Sequence, residues 1–437
     1  MVELSYVQRN RIRQDRLLSQ KGIVLAHNVM VAFDLVGHLQ MSALERAVDD
    51  VVRRHSGLRL VVQWDMGEAL GDILRDGTAS IMLSDASEDE VDGLLNEEAD
   101  TPFDSARDVK FRLRVIRKSD SAYTVAIIVD HLVCDGDSLY LLVSDLSMAY
   151  AARIAGKAPV WWSSVEDYAS FAETEVSTLT GANLESRLTY WKGLLDPLMA
   201  VPETIMPGAI DPGKNASAAL ITRAVEGLTT RITAAAQTLR LTPFAIVTAG
   251  LALAVYSAQP ISVVSLMVPV RYRPERWFGT VGWFANTTIQ RHHMPSDRPL
   301  GQLARDILIQ TFQSCEETIP LGLLVQRLQP ERHRIRRWRP EIFLDLQDIR
   351  NLPCLTLDGS NAARRHWQGG GRLRDGVAIC VELGPNTVSI DMRYERESWP
   401  QEKAEAFFCS LLNAIEIVTS DPSLAVGEAA IRLRQLS

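Results

Sequence analysis

The 437-residue sequence predicts a mixed α/β protein built as two lobes. Three observations carry this reading. Segments with the two-residue period of a half-buried strand recur beside segments with helical 3-4-7 spacing. One run, residues 123–129 (YTVAIIV), is apolar throughout, as a strand buried on both faces must be. Residues 154–220 are richer in Ser, Pro, Gly and Ala, and they divide the chain into two parts that each hold strands and helices. The predicted parts are residues 1–165 and 221–437, with 166–220 as a linker region and connecting helix.

Taken in order, Val29 to Leu35 reads as a strand. Residues 42–55 place Leu44, Ala47, Val48, Val51 and Val52 on one helical stripe, and Ser42 followed by Glu45 has the capping-box spacing. Residues 110–118 (KFRLRVIRK) set Phe111, Leu113 and Val115 on one face and basic residues on the other, which predicts a half-exposed strand. The apolar run at 123–129 is the next strand, and a helix follows from about Ser138 to Ala152. A helix is expected around Ser164–Leu195, then a loop at 206–217. The second part predicts helices at Thr229–Leu239 and Pro243–Tyr256 and strands in ISVVSLMVPV and GWFANTTIQR. A helix at 299–315 and strands at 341–347 and 387–394 come next. A last helix, Gln401–Thr419, buries Ala404, Phe407, Phe408, Leu411, Leu412 and Ile415.

Composition narrows the function. The chain has 46 basic and 54 acidic side chains, a net charge of −8, which argues against a polycation that grips nucleic acid. No apolar run reaches the roughly 18 residues of a bilayer span, and MVELSYVQRNRIRQDR has no apolar core of a secretory signal. Cys134, Cys315, Cys354, Cys380 and Cys409 form no CxxC pair, so free thiols in a reducing cytoplasm are the simplest reading and no metal site is predicted. Nucleophile-elbow, zinc-protease, phosphate-loop and dinucleotide-binding motifs are absent, and Gly369-Gly370-Gly371 reads only as a flexible loop.

One stretch carries chemistry. In Asp130-His131-Leu132-Val133-Cys134-Asp135-Gly136-Asp137-Ser138, a buried strand ends at a histidine, and an Asp-Gly pair then opens a helix. The strand end would fix the His131 backbone, the turn would fold Asp135 back, and Gly136 is suited to a conformation closed to other residues. Asp137 or Ser138 would cap the helix and leave free N–H groups at the site. Taken alone, the same pattern also fits a histidine satisfied at the edge of a core.

The segment DHLVCDGDSL resembles the HHxxxDG motif of nonribosomal peptide synthetase condensation domains. ELSYVQ, HNVMVAFDLVGHLQMSALERAVDDVVRRHSGLR, LTYWKGLL, VPVRYRPERWFGTVGWFANT, IPLGLLVQRLQPER and EIFLDLQD match further family segments in order, so the resemblance covers nearly the whole chain. It implies two chloramphenicol-acetyltransferase-like lobes in a V-shaped pseudo-dimer with a central tunnel. Segments near Arg271–Phe284 and Asp348–Val377 would cross from the second lobe to the first as floor loop and latch. It implies His131 as the catalytic imidazole, taking a proton from the nucleophile or stabilising the tetrahedral intermediate, with the Gly136 N–H on the oxyanion. Asp135 would be structural, paired with Arg271. Asp130 departs from the motif, which has His there. If the strand runs on to 131, Asp130 points away from substrate and needs a cationic or hydrogen-bonding partner.

Trp283 and Asn286 are candidates to line the floor region, with packing as the plain alternative for Trp283. Asp345 and Gln347 alternate with Leu344 and Leu346 and would face the tunnel, or form hydrogen bonds at a core edge. His292-His293 also opens an HHxxxD pattern, but without the glycine and with a proline inside. The basic run Glu331–Arg339 is either a solvated face or a landing patch for an acidic carrier protein. The implied function is acyl or aminoacyl transfer from the phosphopantetheine thioester of a partner carrier protein to an amine or hydroxyl acceptor, with no bound cofactor. A silent recruitment module and a coenzyme A-dependent acyltransferase are the alternatives. The initiating Met and family-like start suggest a free-standing protein.

Overall fold

The computed structural model describes residues 1–65, 67–195, 218–328, 342–357, 360–367, 376–396 and 399–436. The elements run in chain order. Helix α1 (Tyr6–Ser19) leads to β1 (Asn28–Val36), α2 (Met41–Arg54), β2 (Leu60–Asp65), β3 (Glu68–Ile73), β4 (Ser80–Asp85) and α3 (Glu88–Asp100). Then come β5 (Phe111–Ser119), β6 (Ala122–Asp130), α4 (Gly136–Ile154), α5 (Tyr168–Thr178) and α6 (Gly181–Leu195). After these stand β7 (Ala218–Glu226), α7 (Leu228–Leu239), α8 (Pro243–Ala258), β8 (Val263–Arg271) and β9 (Ala285–His293). The chain ends with α9 (Leu300–Glu316), α10 (Leu321–Leu328), β10 (Ile342–Asp348), β11 (Asn361–Arg364), β12 (Val377–Leu383), β13 (Thr387–Glu395), α11 (Gln401–Ser420) and α12 (Val426–Leu436). The loop at 206–217, the basic run 331–339 and the triple glycine 369–371 lie outside the described residues.

Two compact units form, and neither is continuous in sequence. The first comprises Met1–Leu184, Arg271–Ala285 and Leu352–Gly371. Its five-stranded sheet has the order β11-β1-β6-β5-β4, and β2 and β3 make a separate hairpin. Strand β6 is covered on both sides. Val125, Ile127 and Val129 join the cluster built with α2 and α4, while Ala126 and Ile128 pack with Val91 and Leu95 of α3. This is why its sequence shows no polar alternation.

The same α3 overturns the half-exposed reading of β5. Arg112 and Arg114 point towards α3, where Glu98 lies 3.4 and 3.8 Å from their guanidinium nitrogens, and Arg114 is buried. Basic side chains on an alternating strand therefore face a paired carboxylate rather than solvent. The Ser42–Glu45 capping box does not form. Helix α2 starts at Met41, with Gln40 as N-cap and no side-chain cap; the Gln40 N–H donates instead to the Tyr150 hydroxyl.

The second unit comprises Glu185–Val270, Asn286–Asn351 and Arg372–Ser437. Its six-stranded sheet has the order β7-β13-β12-β10-β8-β9. One face packs against α7, α8, α9, α11 and α12 in a single apolar core. Helix α8 lies in the middle of that core and is apolar nearly all round, so its sequence gives no amphipathic stripe. Among the described residues no single helix is long and apolar enough to cross a membrane.

Candidate active site

Strand β6 delivers the site. Its last residue is Asp130, and the chain turns at 131–135 before α4 begins at Gly136. The His131 N–H donates to the His27 carbonyl at 2.7 Å, which ties the turn to the chain just before β1. The ring is half-buried. Its Nδ1 lies 2.6 Å from the Cys134 carbonyl oxygen. A carbonyl can only accept, so Nδ1 carries the proton and Nε2 of the neutral ring is left with a lone pair. Nε2 forms no hydrogen bond with a described residue. Burial lowers the His131 pKa, and the charge of Arg11 lowers it further, against smaller raising effects from the Cys134 carbonyl, Asp135 and Asp130. Both lowering effects favour the neutral ring, whose Nε2 lone pair is able to accept a proton. The Trp283 indole stacks on it, with centroids 4.3 Å apart and planes inclined by 33°.

The start of α4 supplies the second chemical feature. Asp135 is the N-cap, and its side chain accepts from the Ser138 N–H at 2.9 Å. The expectation that Asp137 or Ser138 caps this helix is corrected, since the carboxylate of residue 135 already reaches the third amide. The N–H groups of Gly136 and Asp137 find no acceptor among the described residues. They form the positive end of a 19-residue helix and are suited to stabilising an oxyanion. Gly136 itself has an ordinary backbone conformation, outside the left-handed region. The expectation that it needs a conformation closed to other residues is therefore also corrected. A Cβ built there meets nothing within 4 Å. The space where a side chain at residue 136 would begin is therefore open.

Asp135 pairs with Arg273, not with Arg271. Arg273 Nη2 lies 2.9 Å from Asp135 Oδ1, and both side chains are nearly inaccessible. Arg273 also donates to Ser138 Oγ at 2.6 Å and to the Thr280 carbonyl at 2.8 Å, and it lies over the Phe284 ring. Asp135 Oδ2 accepts from the N–H groups of Phe284 and Ala285 at 2.9 and 3.0 Å. The carboxylate is thus consumed by four donors. Ser138 Oγ donates to the Gly282 carbonyl at 2.7 Å and accepts from the Gly282 N–H at 3.1 Å. Together these contacts fix segment 282–285, which carries Trp283. Gly282 is obligatory, because any Cβ there would overlap the Tyr168 ring. Arg271 instead makes a two-pronged, exposed pair with Asp137, at 2.7 and 2.8 Å.

Asp130 is buried and pairs with Arg11 at 2.7 Å, so it has the cationic partner its burial demands. Asn286 is buried; its amide donates to the Ile319 carbonyl and its oxygen accepts from the N–H groups of Thr287 and Leu321, a brace within the second unit. Asp345 and Gln347 share one face of β10 and bond to each other at 3.0 Å. Burial raises the Asp345 pKa. His292 is sealed within β9, and burial takes its pKa down to about 3. The HHxxxD pattern therefore begins at the end of β9, with His292 buried and His293 exposed, and leaves the strand after His293. Among the described residues no group of His, Cys, Asp or Glu is placed to hold a metal ion.

Sequence reading missed Arg273, Gln8, Arg11 and Tyr168. Gln8 donates to the Leu132 carbonyl at 2.9 Å, and Tyr168 donates to the Trp283 carbonyl at 2.6 Å. Gln8 stood in plain view in the ELSYVQ segment. Arg273 was two residues from the wrong choice, and spacing alone does not separate two arginines that flank one tyrosine.

A family model described as "Condensation domain" matches residues 1–433. A dimodular nonribosomal peptide synthase of Bacillus subtilis (strain 168) is 26% identical over 448 residues, which covers 98% of this chain and 18% of that protein. An isonitrile lipopeptide synthase of Mycobacterium tuberculosis is 26% identical over 368 residues, covering 79% of this chain and 14% of that protein. The chain therefore spans under a fifth of the length of either relative. Among solved structures, the first condensation domain of the calcium-dependent antibiotic synthetase, in complex with a substrate analogue, matches with a TM-score of 0.81 at 16% identity over 98% of each chain. The X-domain from teicoplanin biosynthesis matches with a TM-score of 0.79 at 18% identity, over 98% of this chain and 96% of that one. The structural likenesses show the fold, and the family model spans both the turn at His131 and the segment that Asp135 and Arg273 anchor beside it; the chain belongs to the condensation-domain family.

Proposed function

We propose that this chain is a condensation-type acyltransferase. It moves an acyl or aminoacyl group from a carrier-bound phosphopantetheine thioester to an amine or hydroxyl acceptor in nonribosomal peptide or related biosynthesis. The observation that supports this most is the free, unprotonated Nε2 of His131, whose tautomer is set by the bond from Nδ1 to Cys134.

In the proposed reaction the acceptor attacks the thioester carbonyl carbon, forming a C–N or C–O bond. The carbonyl oxygen takes negative charge, which the N–H groups of Gly136 and Asp137 stabilise. Nε2 accepts the proton from the acceptor. The C–S bond then breaks, and the proton passes to the leaving thiolate, so His131 is restored. Asp135 and Arg273 touch neither reactant. They hold the helix start and the Trp283 segment against each other. The chain supplies the base and the dipoles; phosphopantetheine belongs to the partner carrier.

The replacement of the motif's first histidine by Asp130 is the feature that would suit a silent recruitment module. Its pairing with Arg11 supports a retained site instead, because the buried charge is compensated. The test is intact-mass detection of acyl transfer from loaded carriers of the same biosynthetic cluster, run beside His131→Ala. Transfer that disappears in the variant supports the proposal. No transfer with any loaded carrier favours recruitment, and turnover of soluble acyl-coenzyme A without a carrier favours the coenzyme A reading.

A further inference from the structure

The turn that carries His131 is held from α1, by residues outside the DHxxxDG stretch. Arg11 Nη1 donates to Asp130 Oδ1 at 2.7 Å, and the same oxygen accepts the Leu132 N–H at 2.9 Å. Arg11 Nε donates to Asp15 Oδ2 at 2.9 Å. Asp15 Oδ1 lies 3.0 Å from His27 Nε2, and the His27 carbonyl accepts the His131 N–H. Gln8, nearly one turn earlier on α1, holds the Leu132 carbonyl. The peptide groups on both sides of His131 are therefore fixed by one connected set of bonds, with Arg11 at its centre. Arg11 is 9% exposed and Asp130 2%, so solvent screens their pair little.

We propose that Arg11 is a positioning residue for His131, acting through Asp130 on the turn from which the imidazole projects. This rests on the reading of His131 as the base.

Arg11 faces the His131 ring from α1, Asp130 from the end of β6, and Asp135 from the turn, beside the neutral Cys134 and the Trp283 indole. Lys110, held by the carbonyls of Asp104, Ser105 and Asp108 just before β5, lies within charge range of Asp130. Arg11 disfavours a protonated His131 and Asp130 favours it. Breaking the pair at one end should thus move the His131 titration one way, and breaking it at the other end should move it the opposite way.

The experiment is a pH titration of the histidine ring signals by NMR in the full chain, with His131 identified by its loss in His131→Gln. Arg11→Met should raise the His131 midpoint by about one pH unit, the scale of one neighbouring charge. Asp130→Asn should lower it or take it below the accessible range, and Arg11→Lys should stay near the parent protein. A purely structural Arg11 would let the turn loosen in both neutralising variants, and both midpoints would rise towards the ordinary histidine value. A rise in Asp130→Asn, or no change in it, overturns the proposal, even where Arg11→Met fails to fold. The titration needs no substrate. Opposite shifts with no turnover would count against the proposed function alone, and the absence of opposite shifts would count against Arg11 alone.

Discussion

Asp135→Asn is the sharpest structural perturbation available. Asp135 is 4% exposed and receives four hydrogen bonds: from Ser138 N and Arg273 Nη2 on one oxygen, and from Phe284 N and Ala285 N on the other. An asparagine offers one acceptor oxygen and one NH₂. Whichever way the amide turns, two of the four donors face another donor. A stranded buried N–H costs about 1–3 kcal/mol, and a buried guanidinium that loses its counter-charge costs about 3–5 kcal/mol. These costs overlap, so a loss of about 4 kcal/mol is expected, a large part of the roughly 5–15 kcal/mol that holds a typical fold. The control is Asp137→Asn, two residues away. Its pair with Arg271 is exposed, so about 0–1 kcal/mol is expected. Urea denaturation followed by tryptophan fluorescence measures both. Similar losses in the two variants, or an Asp135→Asn protein within about 1 kcal/mol of the parent, would refute the assignment of Asp135 and Arg273 as the anchor.

Two further perturbations separate packing from chemistry. Gly136→Ala places a methyl group where nothing stands within 4 Å, on a backbone any residue adopts, so stability should hold or rise by about 0.4–1 kcal/mol. Turnover should nonetheless fall, because in the proposed reaction the oxyanion is held at the Gly136 N–H and a methyl group on the same residue crowds its approach; unchanged turnover would show that the substrate does not come close to residue 136. Glu175, buried and bonded to the Tyr6 N–H, has its pKa pushed up to about 7 by burial, against an attraction to Arg9. A raised carboxyl pKa imposes no penalty below the unfolded value of 4.5, a growing one from there to 7, and a full one above. Glu175→Gln should match the parent at pH 4 and exceed it by about 3 kcal/mol at pH 8. An equal difference between the two proteins at both pH values would remove Glu175 as the source.

Much of the fold could be read from sequence because the signals were local. The 123–129 run and the stripe at 42–55 declared a doubly covered strand and an amphipathic helix without any tertiary information. The helices α1, α3 and the chain's final helix α12 were missed, as were the strands β2, β3, β4, β7, β11 and β12. β11 is four residues long and is a strand only because β1 pairs with it. The exposure of Arg114 was misjudged because the cover, Glu98 of α3, is far away in sequence. In the site, the motif located His131, Asp135 and Gly136. It did not indicate which arginine meets Asp135, because Arg271 and Arg273 differ only in how the chain leaves β8. Nor did it reveal the cation beside Asp130, since α1 offers Arg9, Arg11, Arg13 and Arg16 and only packing selects Arg11. The special backbone expected of Gly136 was also misread, since its conformation is ordinary and a Cβ there would meet nothing within 4 Å.

The central claim concerns a proton reaching Nε2 of His131, and matched acceptors test it most directly. An α-amine, with a pKa of about 7.7–8.0, is already partly neutral at pH 7 and needs a base only after attack. A hydroxyl needs one during attack, and positioned general-base catalysis contributes about 10²–10⁴-fold. Rates of acyl transfer to an amine and to the corresponding alcohol, measured for the parent and for His131→Ala, should show a larger loss for the alcohol. Equal losses for the two acceptors would contradict the assignment of His131 as the base.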